Sequence, residues 1–261
     1  MSLNSDVYME RAARSIIFAL DVPTASSALS LVEKTRDHVG VFKVGLQLFT
    51  KEGPDLVRMI QSEGGRVFLD LKLHDIPATV ERAGTAAREL GVFMFTVHSG
   101  DGPGIVGAAV KGAAGEKKEQ VGVADRPLVL GVTVLTSISE KDLPALGFNE
   151  DVRSLASRRA SLAVEAGCPG LVCSPDEVSS LRSLLGKDVV LVVPGVRPAW
   201  ACVEGDDQAR KASPGRVVEQ GGDYVVVGRP IRDHDDPSEA ARRIREELAE
   251  TFEKMDMQGI D

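Results

Sequence analysis

The 261-residue chain lacks most of the marks of a secreted, membrane-embedded or metal-held protein. Three cysteines, Cys168, Cys173 and Cys202, make an odd count with no CxxC step and no Cys/His ligand spacing. They read as reduced structural thiols. No apolar run approaches the roughly 18 to 20 residues that span a bilayer, and the N-terminus has no basic segment followed by an apolar stretch, so no membrane role and a cytoplasmic location are expected. Lys and Arg number 31 against 39 Asp and Glu, a net charge of −8. That balance lacks the surplus cations that a nucleic-acid backbone attracts, and an anionic substrate would need a local basic site. The four histidines, His38, His74, His98 and His234, show no metal-ligand spacing, and no Ser or Cys nucleophile motif accompanies them. No metal and no cofactor is expected. Trp200 is the single tryptophan and is assigned packing only.

Present instead is a globular composition, 43% hydrophobic and 27% charged, in a length ordinary for one α/β barrel. Eight short β-branched runs recur near Ser15–Asp21, Val41–Val44, Val67–Leu71, Phe93–His98, Leu128–Val134, Gly170–Cys173, Val189–Val193 and Tyr224–Val227. Between them, Ser26–Asp37, Pro54–Ser62, Pro77–Leu90, Asp151–Ala166 and Pro237–Phe252 carry apolar residues at helical spacing beside charged faces. Gly91 and Gly167 suit left-handed positions after two of these helices, and Pro54 and Pro77 suit helix starts. Gly102–Val123 fits a weaker helix and a charged loop. Strands alternating with helices predict a parallel sheet, and eight of them a closed (β/α)8 TIM barrel. One domain over 1–261 is expected, with 1–13 an N-terminal extension and 254–261 a polar, frayed tail; neither the opening Met1, Ser2 and Leu3 nor that tail is expected to carry function.

In such a barrel the site sits on the loops after the strands. The most informative segment is FLDLKLHDIPATV, Phe68–Val80. Strand alternation would put Asp70 and Lys72 on one face and Leu69, Leu71 and Leu73 on the other. A lone Asp-x-Lys could be a strand-end salt bridge. However, strand one ends FALD, placing Asp21 at the same rim, and strand two contains FKVG, placing Lys43 there. Four charges alternating in sign around three strand ends are costly to hold in a barrel mouth without function. The array can keep Lys72 protonated as a general acid while Lys43 fixes the carboxylates without a divalent ion. Barrels frequently bind phosphate after strands seven and eight, where Gly228 and Arg229 offer a backbone N–H and a planar fork of donors. Gly195–Ser213, with Arg197, Gly205 and Gln208, is longer than most connections in such folds and reads as a lid or as a solvated loop.

These motifs resemble the orotidine 5′-monophosphate decarboxylases. The shared landmarks, in order, are FALDVP, FKVGLQLF, DLKLHDIPATV, VTVLTS, VPGVRP, GDDQ and VVGRPI, spanning Phe18 to Ile231. The resemblance implies conversion of orotidine 5′-monophosphate to UMP, with Lys72 donating the proton to C6 and Asp70 beside the departing carboxylate. It further implies ribose contacts from Asp21 and Lys43, and Thr136 and Ser137 near the pyrimidine. Arg197, Gln208 and Arg229 would close over the phosphate. Asp75, Ile76 and Thr79 would enter a partner subunit's site, giving a homodimer. On spacing alone Asp75 could instead be a helix N-cap, and Thr136 or Ser137 a local turn residue. One departure from the family pattern is that His98 is followed by Ser99 and Gly100 rather than by Ala. Little effect is expected from it.

Two rivals remain at this point. A sugar-phosphate decarboxylase on the same barrel shares Asp-x-Lys-x-x-Asp but uses magnesium, and the lysine at position 43 would repel the ion. A non-catalytic nucleotide-phosphate-binding barrel would use the charged array for recognition only.

Overall fold

The computed structural model describes residues 3–115, 126–201 and 212–259. Eight parallel strands close in chain order into a barrel, as the alternating pattern predicts. They are β1 (Ile16–Ala19), β2 (Val41–Gly45), β3 (Arg66–Leu73), β4 (Met94–His98), β5 (Leu128–Val132), β6 (Gly170–Val172), β7 (Val190–Val193) and β8 (Tyr224–Val227). Each lies within about two residues of the run that predicted it.

The chain divides into two compact units, and each has its own packing. The first, Met1–Phe68 with Val193–Asp261, holds β1, β2 and β8. Here β1 pairs with β2 through Ile17, Phe18 and Ala19 against Val41, Phe42 and Lys43, and with β8 through Ile16 to Phe18 against Val225 to Val227. Phe18 and Phe42 are fully buried with ring centroids 6.5 Å apart, so the strand that ends in Asp21 and the strand that carries Lys43 share one rigid aromatic contact. Around them lie α1 (Leu3–Ser15), α2 (Ala25–Thr35), α3 (Leu46–Ser62), α8 (Pro214–Glu219), α9 (Arg229–Arg232) and α10 (Pro237–Met257).

Three features here depart from expectation. The N-terminal extension is a helix, α1, and α10 runs on to Met257, so the tail is ordered helix five residues beyond Phe252. Arg11 explains both: its guanidinium lies 4.1 Å over the Phe252 ring and 3.2 Å from Asp256. Helix α3 starts before Pro54, but Gly53 adopts φ 68°, ψ −163° inside it, so Pro54 does open the second of two helical segments.

The second unit, Leu69–Val192, carries β4 to β7, paired in parallel register from Met94↔Leu128 through Val172↔Val192. Its helices are α4 (Pro77–Glu89), α5 (Pro103–Ala114), α6 (Val152–Glu165) and α7 (Val178–Leu185). Helices α4 and α5 meet through small residues. A Cβ placed on Gly112 would lie 2.1 Å from the Glu81 carbonyl oxygen, so only glycine permits this approach. Of the weak helix predicted over Gly102–Val123, the part up to Ala114 forms, and residues 116–125 lie outside the described set. Gly91 and Gly167 take φ of 70° and 86°, the left-handed conformation expected after α4 and α6. The Cys168 and Cys173 thiols are buried, and burial pushes Cys168 up to about 11, as suits an unreactive structural group. Cys202 lies outside the described residues.

Among the described residues no helix is long and apolar enough to cross a membrane.

Candidate active site

Strand β3 delivers the central pair. Phe68 and Leu69 are buried, anchoring the strand, and beyond them Lys72 Nζ donates to Asp70 Oδ1 at 2.8 Å. The Asp70 side chain is 13% exposed and that of Lys72 32%. Charges removed this far from water stay ionised only where partners offset the lost hydration. The same-face expectation is met, but not by simple alternation. Lys72 has φ 50°, making it the one non-glycine residue with positive φ among those described. A left-handed conformation costs an L-residue about 1–2 kcal/mol. The strand therefore departs from regular extension at its C-terminal end, and Leu71 and Leu73 are only half-buried rather than packed under helices.

The residue that holds this geometry was not foreseen. Thr96, fully buried in β4, accepts a hydrogen bond from the Lys72 backbone N–H at 2.8 Å and donates to Asp70 Oδ1 at 3.0 Å. A signal existed: Thr96 is the lone polar residue in MFTV, and a polar side chain in a buried strand must have partners.

Beyond β4, His98 stacks on His74 with ring centroids 5.1 Å apart, and His74 Nε2 hydrogen-bonds Asp101 Oδ2. Burial first, and then the neighbouring His74, Arg159 and Lys72, hold His98 below its ordinary pKa. Its Nδ1 accepts the Gly100 N–H at 3.0 Å, which assigns the neutral ring's proton to Nε2. Asp101 is held low, chiefly by its bond to His74. Ser99, where an Ala was expected, is buried with its hydroxyl donating to Val132 O at 2.7 Å, so the extra polar group is satisfied.

On the turn into α4, the N-cap is Ile76 and not Asp75, so the N-cap alternative for Asp75 fails. Asp75 Oδ1 instead accepts the Ile76 N–H at 2.7 Å, one residue outside the cap, because Pro77 occupies the first helical position. Asp75, Ile76 and Thr79 are all exposed, Ile76 to 67%. Thr136 and Ser137 are exposed in the turn past β5.

The other unit presents a second charged group. Lys43 Nζ lies 3.2 Å from Asp21 Oδ1, with the lysine side chain 12% exposed. A Cβ on Gly45 would press to 3.1 Å on that Nζ, so a side chain there would crowd the ammonium. After β8, Arg232 donates to the Asp21 carbonyl at 3.0 Å and to Asp233 through both Nε and Nη2. Asp233 is held below its ordinary value by that pairing first, and then by the charges of Arg229 and Arg197. One guanidinium, that of Arg232, therefore pairs with this carboxylate, and two more contribute their charge to it. Arg197 is buried, with Nη1 donating to Val196 O at 2.9 Å. Arg232 and Asp233 were missed because RPIRD reads as an ordinary turn. Trp200 packs between Arg243, 4.2 Å over its ring, and the edge of His234, the packing role expected of it. Gln208 and part of the predicted lid lie outside the described residues. No three His, Cys, Asp or Glu side chains among the described residues come together as metal ligands.

A relative from Syntrophotalea carbinolica named orotidine 5′-phosphate decarboxylase is 48% identical over 245 residues, covering 93% of this chain and 98% of its own. One of the same name from Desulfosudis oleivorans is 45% identical over 243 residues, covering 91% and 94%. The crystal structure of orotidine 5′-phosphate decarboxylase from Lactobacillus acidophilus superposes with a TM-score of 0.78 at 33% identity, covering 89% of this chain and 98% of the other. A model of the orotidine 5′-phosphate decarboxylase / HUMPS family matches residues 14–244, from the end of α1 into α10, and the chain belongs to that family.

Proposed function

We propose that this lyase converts orotidine 5′-monophosphate to UMP, the last step of de novo pyrimidine biosynthesis, as a cytoplasmic homodimer without metal or cofactor. The observation that carries the reading is the Lys72 ammonium, fixed 2.8 Å from Asp70 on a strained backbone at the end of β3. Decarboxylation breaks the bond from C6 to the carboxylate, CO2 departs, and the electron pair stays on C6. The ring offers that pair no delocalisation, so the enzyme must supply a preorganised positive charge and a proton. Lys72 supplies both: its Nζ–H bond breaks as the C6–H bond forms. Asp70 would hold the Lys72 ammonium in place through their 2.8 Å hydrogen bond and would face the departing carboxylate.

Asp21 and Lys43 would take the ribose hydroxyls, and Thr136 and Ser137 the pyrimidine. Gly228, Arg229, Arg197 and Gln208 would take the phosphate. The guanidiniums beside Asp233 support the last assignment, since arginine forks match phosphate oxygens. The exposed Ile76, between Asp75 and Thr79, supports a partner subunit covering this turn. Contacts far from C6 would then contribute binding energy to the chemical step.

Following the loss of orotidine 5′-monophosphate absorbance in excess chelator tests the reading. Turnover is expected. A folded but inactive protein would favour the non-catalytic phosphate-binding barrel, and activity restored only by magnesium would favour the metal-dependent sugar-phosphate type.

A further inference from the structure

We infer that Thr96 is a positioning residue that fixes Lys72 at both of its ends, through its backbone and through Asp70. The inference rests on the decarboxylase reading above. A backbone N–H can only donate, so the Lys72 N–H at 2.8 Å obliges Thr96 Oγ1 to act as acceptor. The single hydroxyl proton is thereby directed elsewhere, and it lies on Asp70 Oδ1 at 3.0 Å. The same oxygen accepts from Lys72 Nζ at 2.8 Å. The result is a closed ring: Lys72 N–H to Thr96, Thr96 to Asp70, and Lys72 Nζ to Asp70.

Each link constrains a different property. The bond to the Lys72 N–H holds the residue at φ 50°, a conformation that a lysine does not keep without support. The bond to Asp70 fixes which carboxylate oxygen faces the ammonium, and with it the direction in which Nζ presents its remaining protons. Thr96 is fully buried, so its hydroxyl has no water to turn to in place of these partners. Its methyl and hydroxyl are separable by substitution. Valine keeps the shape and loses the hydrogen bonds, whereas serine keeps the hydrogen bonds and loses the methyl.

Thr96→Val is expected to lower kcat by about 10- to 100-fold with KM changed less than about threefold, because a misaimed proton donor affects the transition state more than substrate binding. Thr96→Ser is expected to retain kcat within about threefold. Wild-type kcat in Thr96→Val, or equal losses in the two variants, would overturn the inference, the second because it assigns the effect to packing. Should Thr96→Val fail to fold, amide exchange in the wild-type protein decides: a slowly exchanging Lys72 N–H supports the ring, and exchange at the rate of an exposed amide overturns it. An inactive wild-type protein would instead count against the decarboxylase reading, which keeps the two failures apart.

Discussion

Lys72 reaches Asp70 with a 2.8 Å hydrogen bond from a backbone that only glycine adopts without strain. The pair is therefore held by more than its own attraction. Substitution at this one position separates chemistry from conformation. Lys72→Ala and Lys72→Gly should both lower turnover by about four orders of magnitude, the upper end for a lost general acid, since proton and charge go together. Their stabilities should differ in the opposite order to that usual in a strand. Alanine keeps the strain at φ 50° and glycine relieves it, so the glycine variant should be more stable by about 0.5–1 kcal/mol after its greater unfolded-state entropy is counted. Urea unfolding midpoints measure the difference, and an alanine variant as stable as the glycine one would contradict the strain.

If the turn at Asp75 completes a partner's site, two inactive variants should complement. A Lys72→Ala subunit still offers Asp75, and an Asp75→Asn subunit still offers Lys72. Mixed dimers then hold one intact site and one doubly damaged site. Equal mixing after dissociation should recover about a quarter of wild-type activity, since half the dimers are mixed and each has one working site of two. No recovery above the sum of the separate variants, with mixed dimers demonstrated, would place Asp75 in its own subunit's site or in none.

The barrel was legible because each strand is a compact β-branched run and each long helix an amphipathic stripe, both local patterns. Helices α7, α8 and α9, of eight, six and four residues, are too short for a 3.6-residue period to stand out. Helix α1 was hidden for another reason: LNSDVYMERAARS is mostly polar, and it is packed through Arg11 against Phe252 and Asp256, some 240 residues away in sequence. The site divides in the same way. Asp70 and Lys72 were visible as a spacing, but the φ of Lys72 and the role of Thr96 depend on bonds between β3 and β4, which no spacing encodes. The capping alternative for Asp75 arose because a carboxylate before a helix is a common capping signal. The proline at position 77 shifts the cap to Ile76.

Two glycines in α5 should respond to alanine with opposite signs. At Gly112 the new Cβ would lie 2.1 Å from the Glu81 carbonyl and 3.0 Å from the Thr85 amide, both backbone atoms, so α4 and α5 must separate. Gly112→Ala is expected to cost about 3 kcal/mol, at the upper end for overpacking. At Gly107 the nearest atom is the Ala166 carbonyl oxygen at 3.8 Å, an ordinary contact, so Gly107→Ala should gain about 0.5–1 kcal/mol from helix propensity. Thermal melting of the two variants checks both signs.

Glu247 on α10 should make stability fall with rising pH. Its carboxyl is raised above the ordinary glutamate value, by burial first and by Glu250 second, against the opposing pull of the Gly215 N–H and the Ser213 hydroxyl. The Gly215 bond, at 3.1 Å, ties α10 to the start of α8. With the folded pKa above the unfolded one, the native state binds more protons across the interval between them. Stability is then greatest below the ordinary carboxylate range, declines as pH rises through the folded value, and stays low above it. Glu247→Gln keeps an oxygen to accept both bonds and removes the buried charge. It should therefore raise the melting temperature near neutral pH, with the gain disappearing below about pH 4 as the wild-type group protonates. A glutamine variant less stable than wild type at neutral pH would mean that the bond to Gly215 needs the full charge and that burial is not the dominant influence on this carboxyl.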